Sequence, residues 1–192
     1  MPEETGTKVS IFTVKRVLYR HNLKGRSARK PLLQNHHKKA RLRFATAHVD
    51  KDHTFWRNVL WSDETKIEMF GGKTVKHGGG GIILWGCFAA GGTGALHKIH
   101  GIMRKENYVD ILTQHLKTSV RKLKLGRKWV FQMDNDPKHT SKVVSKWLKD
   151  NKVKVLVWPS QSSDLNPIEN VWAELKRRVR ARRSTNLTQL HE

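Results

Sequence analysis

The chain has 192 residues and a formal net charge of +22, from 38 Lys and Arg against 16 Asp and Glu. Its length suits one domain with a small appendage, and seven Trp and six Phe give enough bulk for a core. A single cysteine, Cys87, excludes a disulfide framework and a cysteine-based zinc site within one chain.

Charge this lopsided concerns partners rather than fold. Nucleic acid is the expected partner, because cationic side chains displace counterions condensed on the phosphate backbone. An anionic membrane is the rival. No apolar run reaches transmembrane length, no helix pattern has a wide apolar face, and the polar residues 1–9 do not read as a signal peptide.

Between Thr5 and Val49 there are twelve Lys or Arg and no acid. Ser10 to Asn22 reads as a helix, with Val14, Val17 and Leu18 at helical spacing and Gly25 as a stop. Its polar positions, Lys15, Arg16, Arg20 and His21, suit a helix lying in a major groove. Such a unit needs companion helices, which nine upstream residues cannot supply, and a solvated basic helix is the plainer reading. Lys24 to Pro31 reads as a linker, whose Lys24, Arg26, Arg29 and Lys30 suit a nuclear import signal or a phosphate-binding arm. Leu33 to His48 reads as a second basic helix with Leu42, Phe44 and Ala45 as its apolar side. Paired histidines such as His36-His37 and His97/His100 read as solvated or phosphate-facing rather than metal-ligating.

From Thr54 the pattern becomes strand-rich. Phe55 to Phe70 contains a β-type run around Asp63. Ile82 to Ala89 and Ala95 to Ile99 read as a hairpin turned by Gly91-Gly92-Thr93-Gly94. The glycines lack the Gly-Lys-Ser/Thr signature and following helix of a phosphate-binding loop. Asn107 to Leu123 is helical through Tyr108, Ile111, Leu112, His115 and Leu116. Trp129 to Met133 and Val153 to Trp158 read as strands. Ser141 to Asn151 reads as a helix with Val143, Val144, Trp147 and Leu148 inward. Ile168 to Arg182 reads as a helix with Ile168, Val171, Trp172, Leu175 and Val179 on one face. The order β-β-β-α-β-α-β-α predicts an α/β fold with a mixed sheet and flanking helices.

Three acids stand at element ends. Asp63 lies in Trp-Ser-Asp-Glu-Thr-Lys, Asp134 in Phe-Gln-Met-Asp-Asn-Asp-Pro-Lys-His-Thr, and Glu169 in Asp-Leu-Asn-Pro-Ile-Glu-Asn, with 34 residues between the last two. Singly, each has a bland explanation. Asp63 suits a turn, Asp136-Pro137 a helix start, and Asn166 with Glu169 a capping box. A calcium loop at Asp134 would need Gly at its sixth and Glu at its twelfth position, where His139 and Ser145 stand. Together, three carboxylates in a cationic chain make sense around a cation. Oxygen ligands favour Mg²⁺ or Mn²⁺, and two such ions serve in-line phosphodiester displacement.

These three motifs resemble the catalytic motifs of mariner-superfamily DNA transposases, most nearly the Sleeping Beauty-like branch, through nearly the whole chain. The resemblance implies an RNase H-like catalytic domain over residues 54–192, a basic linker and helix over 26–53, and a partial helix-turn-helix remnant over 1–25. It implies Asp63, Asp134 and Glu169 as catalytic and metal-binding residues holding two Mg²⁺ or Mn²⁺. It places DNA contacts on Lys15, Arg16, Arg20, Lys24, Arg26, Arg29 and Lys30. The implied partner is double-stranded DNA, as transposon inverted repeats and a TA target, and the implied location is the nucleus. Cut-and-paste transposition by DNA hydrolysis and strand transfer is the implied reaction. His139 then supports Asp134 or touches DNA, and Asp136 is a cap rather than a ligand.

Departures from the family carry their own expectation. Set beside the family, the sequence is expected to lack most of the paired N-terminal DNA-binding region and the further helices that follow Glu192 in relatives, and its segment between Phe70 and Val75 is short. Self-association and complete transposition are therefore expected to be weakened. The alternatives are a non-catalytic, transposon-derived nucleic-acid-binding protein and a metal nuclease acting on RNA or hybrids.

Overall fold

The computed structural model describes residues 10–20, 33–68 and 81–182. The chain divides into two compact units, residues 1–32 and Leu33–Glu192. In the first, helix α1 spans Ile11–Arg20, with Phe12 and Val17 exposed. The linker and the segment between Phe70 and Val75 lie outside the described residues. No described helix is long and apolar enough to cross a membrane.

The second unit begins with α2 (Asn35–His48) and α3 (His53–Arg57). The sequence pattern runs the first strand from Phe55, but Asp52 caps a short helix there, its Oδ1 accepting from the Phe55 N–H at 2.8 Å. Strand β1 then runs Val59–Glu68, β2 Gly81–Ala89 and β3 Gly92–Ile99. They pair antiparallel as a meander. The glycine-rich turn is shorter than expected, only Ala90-Gly91, and Gly92 enters β3 at φ 123°.

Helix α4 (Lys105–Lys122) leads to β4 (Val130–Phe131), which pairs parallel to β1. Sheet order is β3-β2-β1-β4, the mixed arrangement expected. Helix α5 (Lys142–Asp150) follows, capped by Ser141, and α6 (Ile168–Arg182) closes the described chain. The expected strand Val153 to Trp158 reduces to one parallel bridge, Phe131 to Val155. Two backbone bonds of 2.8 Å, Phe131 N to Lys154 O and Leu156 N to Phe131 O, hold it against β4.

Strand alternation sorts the core onto two faces of the sheet. Leu60, Trp85, Phe131, Leu112, Leu116 and Val144 form the main cluster, under α4 and α5. On the other face Val59, Trp61, Val130, Leu156 and Trp158 bury against Phe44, Phe55 and Trp56, while Ile67, Ile82 and Leu84 meet Leu175 and Val179 of α6. Helix α6 thus uses the predicted face, with Ile168 and Trp172 buried.

Two helix faces differ from expectation. On α5, Val144 and Leu148 are buried but Val143 is 43% exposed, because the neighbouring position on a helix points about 100° away. On α2, Leu42 is 69% exposed and Ala45 is also outward. The inward stripe is His37, Ala40, Arg41, Phe44 and His48.

Candidate active site

A buried network of amides and hydroxyls ties together the three acid-bearing segments. Gln132 is fully buried, Ser62 and Asn166 nearly so. The Asn166 Nδ2 donates to Ser62 O and to Gln132 Oε1, both at 3.1 Å. The Ser62 N–H donates to Gln132 Oε1 at 3.3 Å and its hydroxyl to Gln132 O at 2.9 Å. Ser62 precedes Asp63, Gln132 lies two residues before Asp134, and Asn166 three before Glu169. Burial without water makes each of these bonds costly to break, so the network sets where the three acids emerge.

Asp63 is not at a strand end but within β1, opposite Gly86 of β2. A side chain at Gly86 would place its Cβ 2.5 Å from Trp172 Cη2. Glycine there lets α6 lie close over β1, and Trp172 is one helical turn beyond Glu169. Asp134 follows β4 by three residues, and Glu169 is the second residue of α6. Asp63 and Asp134 line one cavity of about 470 Å³, walled by Asn135, Trp158 and Ser160 to Ser163.

The electrostatics are uneven. Burial pushes the Asp63 carboxyl up to about 7, and the negative charges of Glu64, Glu169 and Asp134 add to the rise. On the opposite side of β1, Glu64 faces a cationic pair. His139 is buried and bonds Asp134 Oδ1 through Nδ1, and its Nε2 lies 3.1 Å from Glu64 Oε1. Lys138 Nζ stands 3.3 Å from Glu64 and 2.9 Å from Asp136. Burial lowers the His139 pKa, but its bonds to Asp134 and Glu64 outweigh this and raise it to about 9. Burial would likewise raise Asp134, yet the bond and charge of His139 hold it below the usual range. The Tyr108 ring covers His139 at 4.0 Å.

His139 is therefore enclosed beside Asp134 rather than presented to a ligand. Asp136 behaves as a turn cap, accepting from the Lys138 N–H at 2.9 Å, while the helix itself starts later at Ser141. Asn166 caps α6 through Ile168 N at 3.2 Å. The reciprocal half of the expected capping box is replaced, since the Asn166 N–H donates to Ser163 O at 2.9 Å. Glu169 is thus exposed rather than folded back. Among the described residues, no three His, Cys, Asp or Glu side chains form a ready metal-holding group.

Glu64 and Gln132 escape the sequence reading and Asn166 enters it only as a helix cap, although each sits inside a quoted motif. A polar residue in an otherwise apolar strand, as Gln132 is, was the available signal. His97 also differs from the solvated reading: its Nδ1 lies 2.9 Å from His115 Nε2. Arg16 and Arg20 are exposed on α1. The Lys15 side chain, with Lys24, Arg26, Arg29 and Lys30, lies outside what the structure describes.

A mixed sheet with acids on β1, after β4 and at the start of α6 has the layout of a DDE-type nuclease domain. Residues 72–191 match the family described as DDE superfamily endonuclease, and residues 2–50 match a transposase helix-turn-helix family. The transposase of transposable element Tcb1 from Caenorhabditis briggsae is 42% identical over 198 residues, covering 92% of this chain and 72% of that protein. The Tc1 transposase of Caenorhabditis elegans is 39% identical, covering 91% and 71%. The Mos1 transposase catalytic domain, solved with raltegravir and Mg, superposes with a TM-score of 0.67 at 16% identity, covering 88% of this chain and 81% of that one. A Mos1 paired-end complex with Mg gives 0.70 at 17%, covering 96% and 61%. The fold is that of the RNase H-like catalytic domain of Mos1. The chain belongs to the Tc1/mariner family of cut-and-paste DNA transposases.

Proposed function

We propose that this chain cuts and joins DNA at transposon ends, with Asp63, Asp134 and Glu169 as its catalytic carboxylates. One observation carries the reading. The Ser62–Gln132–Asn166 network draws three separate segments together, so that Asp63 and Asp134 share a cavity and Glu169 acts on Asp63 electrostatically. The donor set is all oxygen, and Asp63 lies in an uncompensated negative field, which suits Mg²⁺ or Mn²⁺. Two such ions, held by the three carboxylates, would polarise the scissile phosphate and supply an activated water.

The chain's own residues do the rest. Asp134 is kept ionised by His139, ready to ligate at neutral pH. Asp63, its carboxyl raised by burial to about 7, would be relieved of like charge by a cation held there. Asn135 fastens the cavity wall, its Nδ2 donating to Trp158 O at 2.7 Å. The net charge of +22 draws duplex DNA to the site. Inverted repeats and a TA target as substrate, phosphate contacts by the basic linker, and entry to the nucleus belong to the same proposal.

The test is strand cleavage of terminal-repeat duplexes with Mg²⁺ or Mn²⁺. Cleavage should fall at least about a thousandfold in Asp63→Asn, Asp134→Asn or Glu169→Gln. Cleavage that survives all three removes the carboxylates from the mechanism. A folded wild-type chain that binds duplex DNA but never cuts supports the non-catalytic reading.

A further inference from the structure

Arg41 is a basic residue on the inward stripe of α2, and its side chain is only 20% exposed. Both terminal nitrogens of its guanidinium are engaged. Nη1 donates to Asp164 Oδ1 at 2.7 Å, Ser162 Oγ at 3.0 Å and Gln161 O at 3.2 Å, and Nη2 to Asp164 Oδ2 at 2.8 Å. One turn further along α2, Phe44 packs edge-on against Trp158, with ring centroids 5.2 Å apart. The helix therefore grips the loop after Trp158 at two points.

That loop has three properties. Gln161, Ser162 and Ser163 wall the cavity that holds Asp63 and Asp134. Gln161 stands at φ 54°, a left-handed conformation that a non-glycine residue adopts only when its surroundings hold it. The loop then tightens into a 3₁₀ turn, Ser163–Leu165, and runs directly into Asn166 and α6. Leu165 N bonds Ser162 O, Asn166 N bonds Ser163 O, and Glu169 N bonds Asn166 O. A guanidinium fixing residues 161, 162 and 164 thus fixes the approach to Glu169.

We propose that Arg41, through Asp164, is a positioning residue that seats the loop leading to Glu169, tying helix α2 to the carboxylate site. The role rests on the proposed function for its catalytic consequence, but not for the fastening itself. A committed two-pronged Arg–carboxylate contact differs from a phosphate-seeking cation. Lys38, Lys39 and Arg43, exposed on the same helix, fit the latter.

The test uses the full chain carrying Arg41→Ala, Arg41→Lys, Asp164→Asn or Arg41→Ala with Asp164→Asn. Hydrogen exchange at Leu165, Asn166, Ile168 and Glu169 should quicken about tenfold or more in each, while β1 and β2 keep their protection. Metal-dependent nicking should lose about tenfold in kcat with KM for DNA within about twofold, and the double variant should be no worse than either single one. Lysine keeps the charge without the two-pronged contact, so Arg41→Lys should behave as a partial loss. It also carries the test if Arg41→Ala does not fold. Unchanged exchange in the loop overturns the proposal. So does an Arg41→Ala chain with raised KM and normal kcat beside an Asp164→Asn chain with lowered KM, the pattern of a phosphate contact. A wild-type chain that nicks nothing overturns the proposed function, and the exchange rates then decide the fastening alone.

Discussion

Asp63 and Glu64 are adjacent in the chain and live in opposite electrostatic worlds. Glu64 points to the face of β1 where His139 and Lys138 neutralise it within 3.1 and 3.3 Å. Asp63 points to the other face, where burial and three further carboxylates oppose its charge. Glu64 is a carboxylate that the fold balances on both oxygens, whereas Asp63 is left to burial and like charge at the end of a buried network. Asp134 stands between them, lining the cavity with Asp63 yet bonded to His139.

The sharpest way to break this contrast is pH. Asp63 has a folded pKa of about 7 against an ordinary value near 3.8, so the folded chain holds a proton that the unfolded chain has released. Metal-free stability should therefore fall as pH rises from about 4 to about 7, by at most about 4 kcal/mol. Urea titrations of wild type and Asp63→Asn at successive pH values check this, and the variant should lose the slope and be the more stable chain at pH 8. A wild-type curve parallel to that of the variant would show that Asp63 is balanced after all. His139 contributes in a different window. Its raised pKa gives stability that is complete below about 6.5 and lost as pH climbs through about 9.

Removing the balancing group should do the reverse of removing Asp63. His139→Gln leaves Glu64 and Asp134 facing each other across a buried gap, and should cost about 3 kcal/mol near pH 7. Chemical denaturation measures it. A loss no larger than that of an exposed histidine would place the neutralising role elsewhere.

A smaller effect should follow from Gly86→Ala. The added methyl meets Trp172, so α6 must shift away from β1, at about 1–3 kcal/mol. The informative part is the division of the loss. Cleavage should drop more than stability, because Glu169 rides on the same helix turn. Equal stability and normal cleavage would mean that α6 can slide without moving the acid.

How much of this was legible beforehand depends on the kind of signal. Strand and helix order was legible because Leu60, Trp85, Tyr108, Leu112 and Trp172 repeat with the right periods. The motifs around Asp63, Asp134 and Glu169 marked the acids, but not which neighbour balances which, since Glu64 and Asp63 differ only by the alternation of one strand. Helix α3 was missed because Phe55 and Trp56 look like strand residues, and the Asp52 cap decides otherwise. The last strand was overestimated because Val153, Val155 and Leu156 are apolar for packing, while their backbone makes only one bridge. Arg41 has no mark of its own among the twelve Lys or Arg between Thr5 and Val49, because its destination lies more than a hundred residues away in the chain.

Gly86 and Trp172 form a lock whose two parts are far apart in the chain and both buried. In a lineage of mobile-element copies that mutate freely, such a pair keeps its own clock. A change at residue 86 alone leaves the basic surface untouched while displacing the helix that carries Glu169. On the proposed function, copies decaying by this route would lose cutting before they lose their grip on DNA. Where the two positions have changed together, the helix seat has been rebuilt, and such paired changes among relatives would mark copies kept under selection for chemistry rather than for binding.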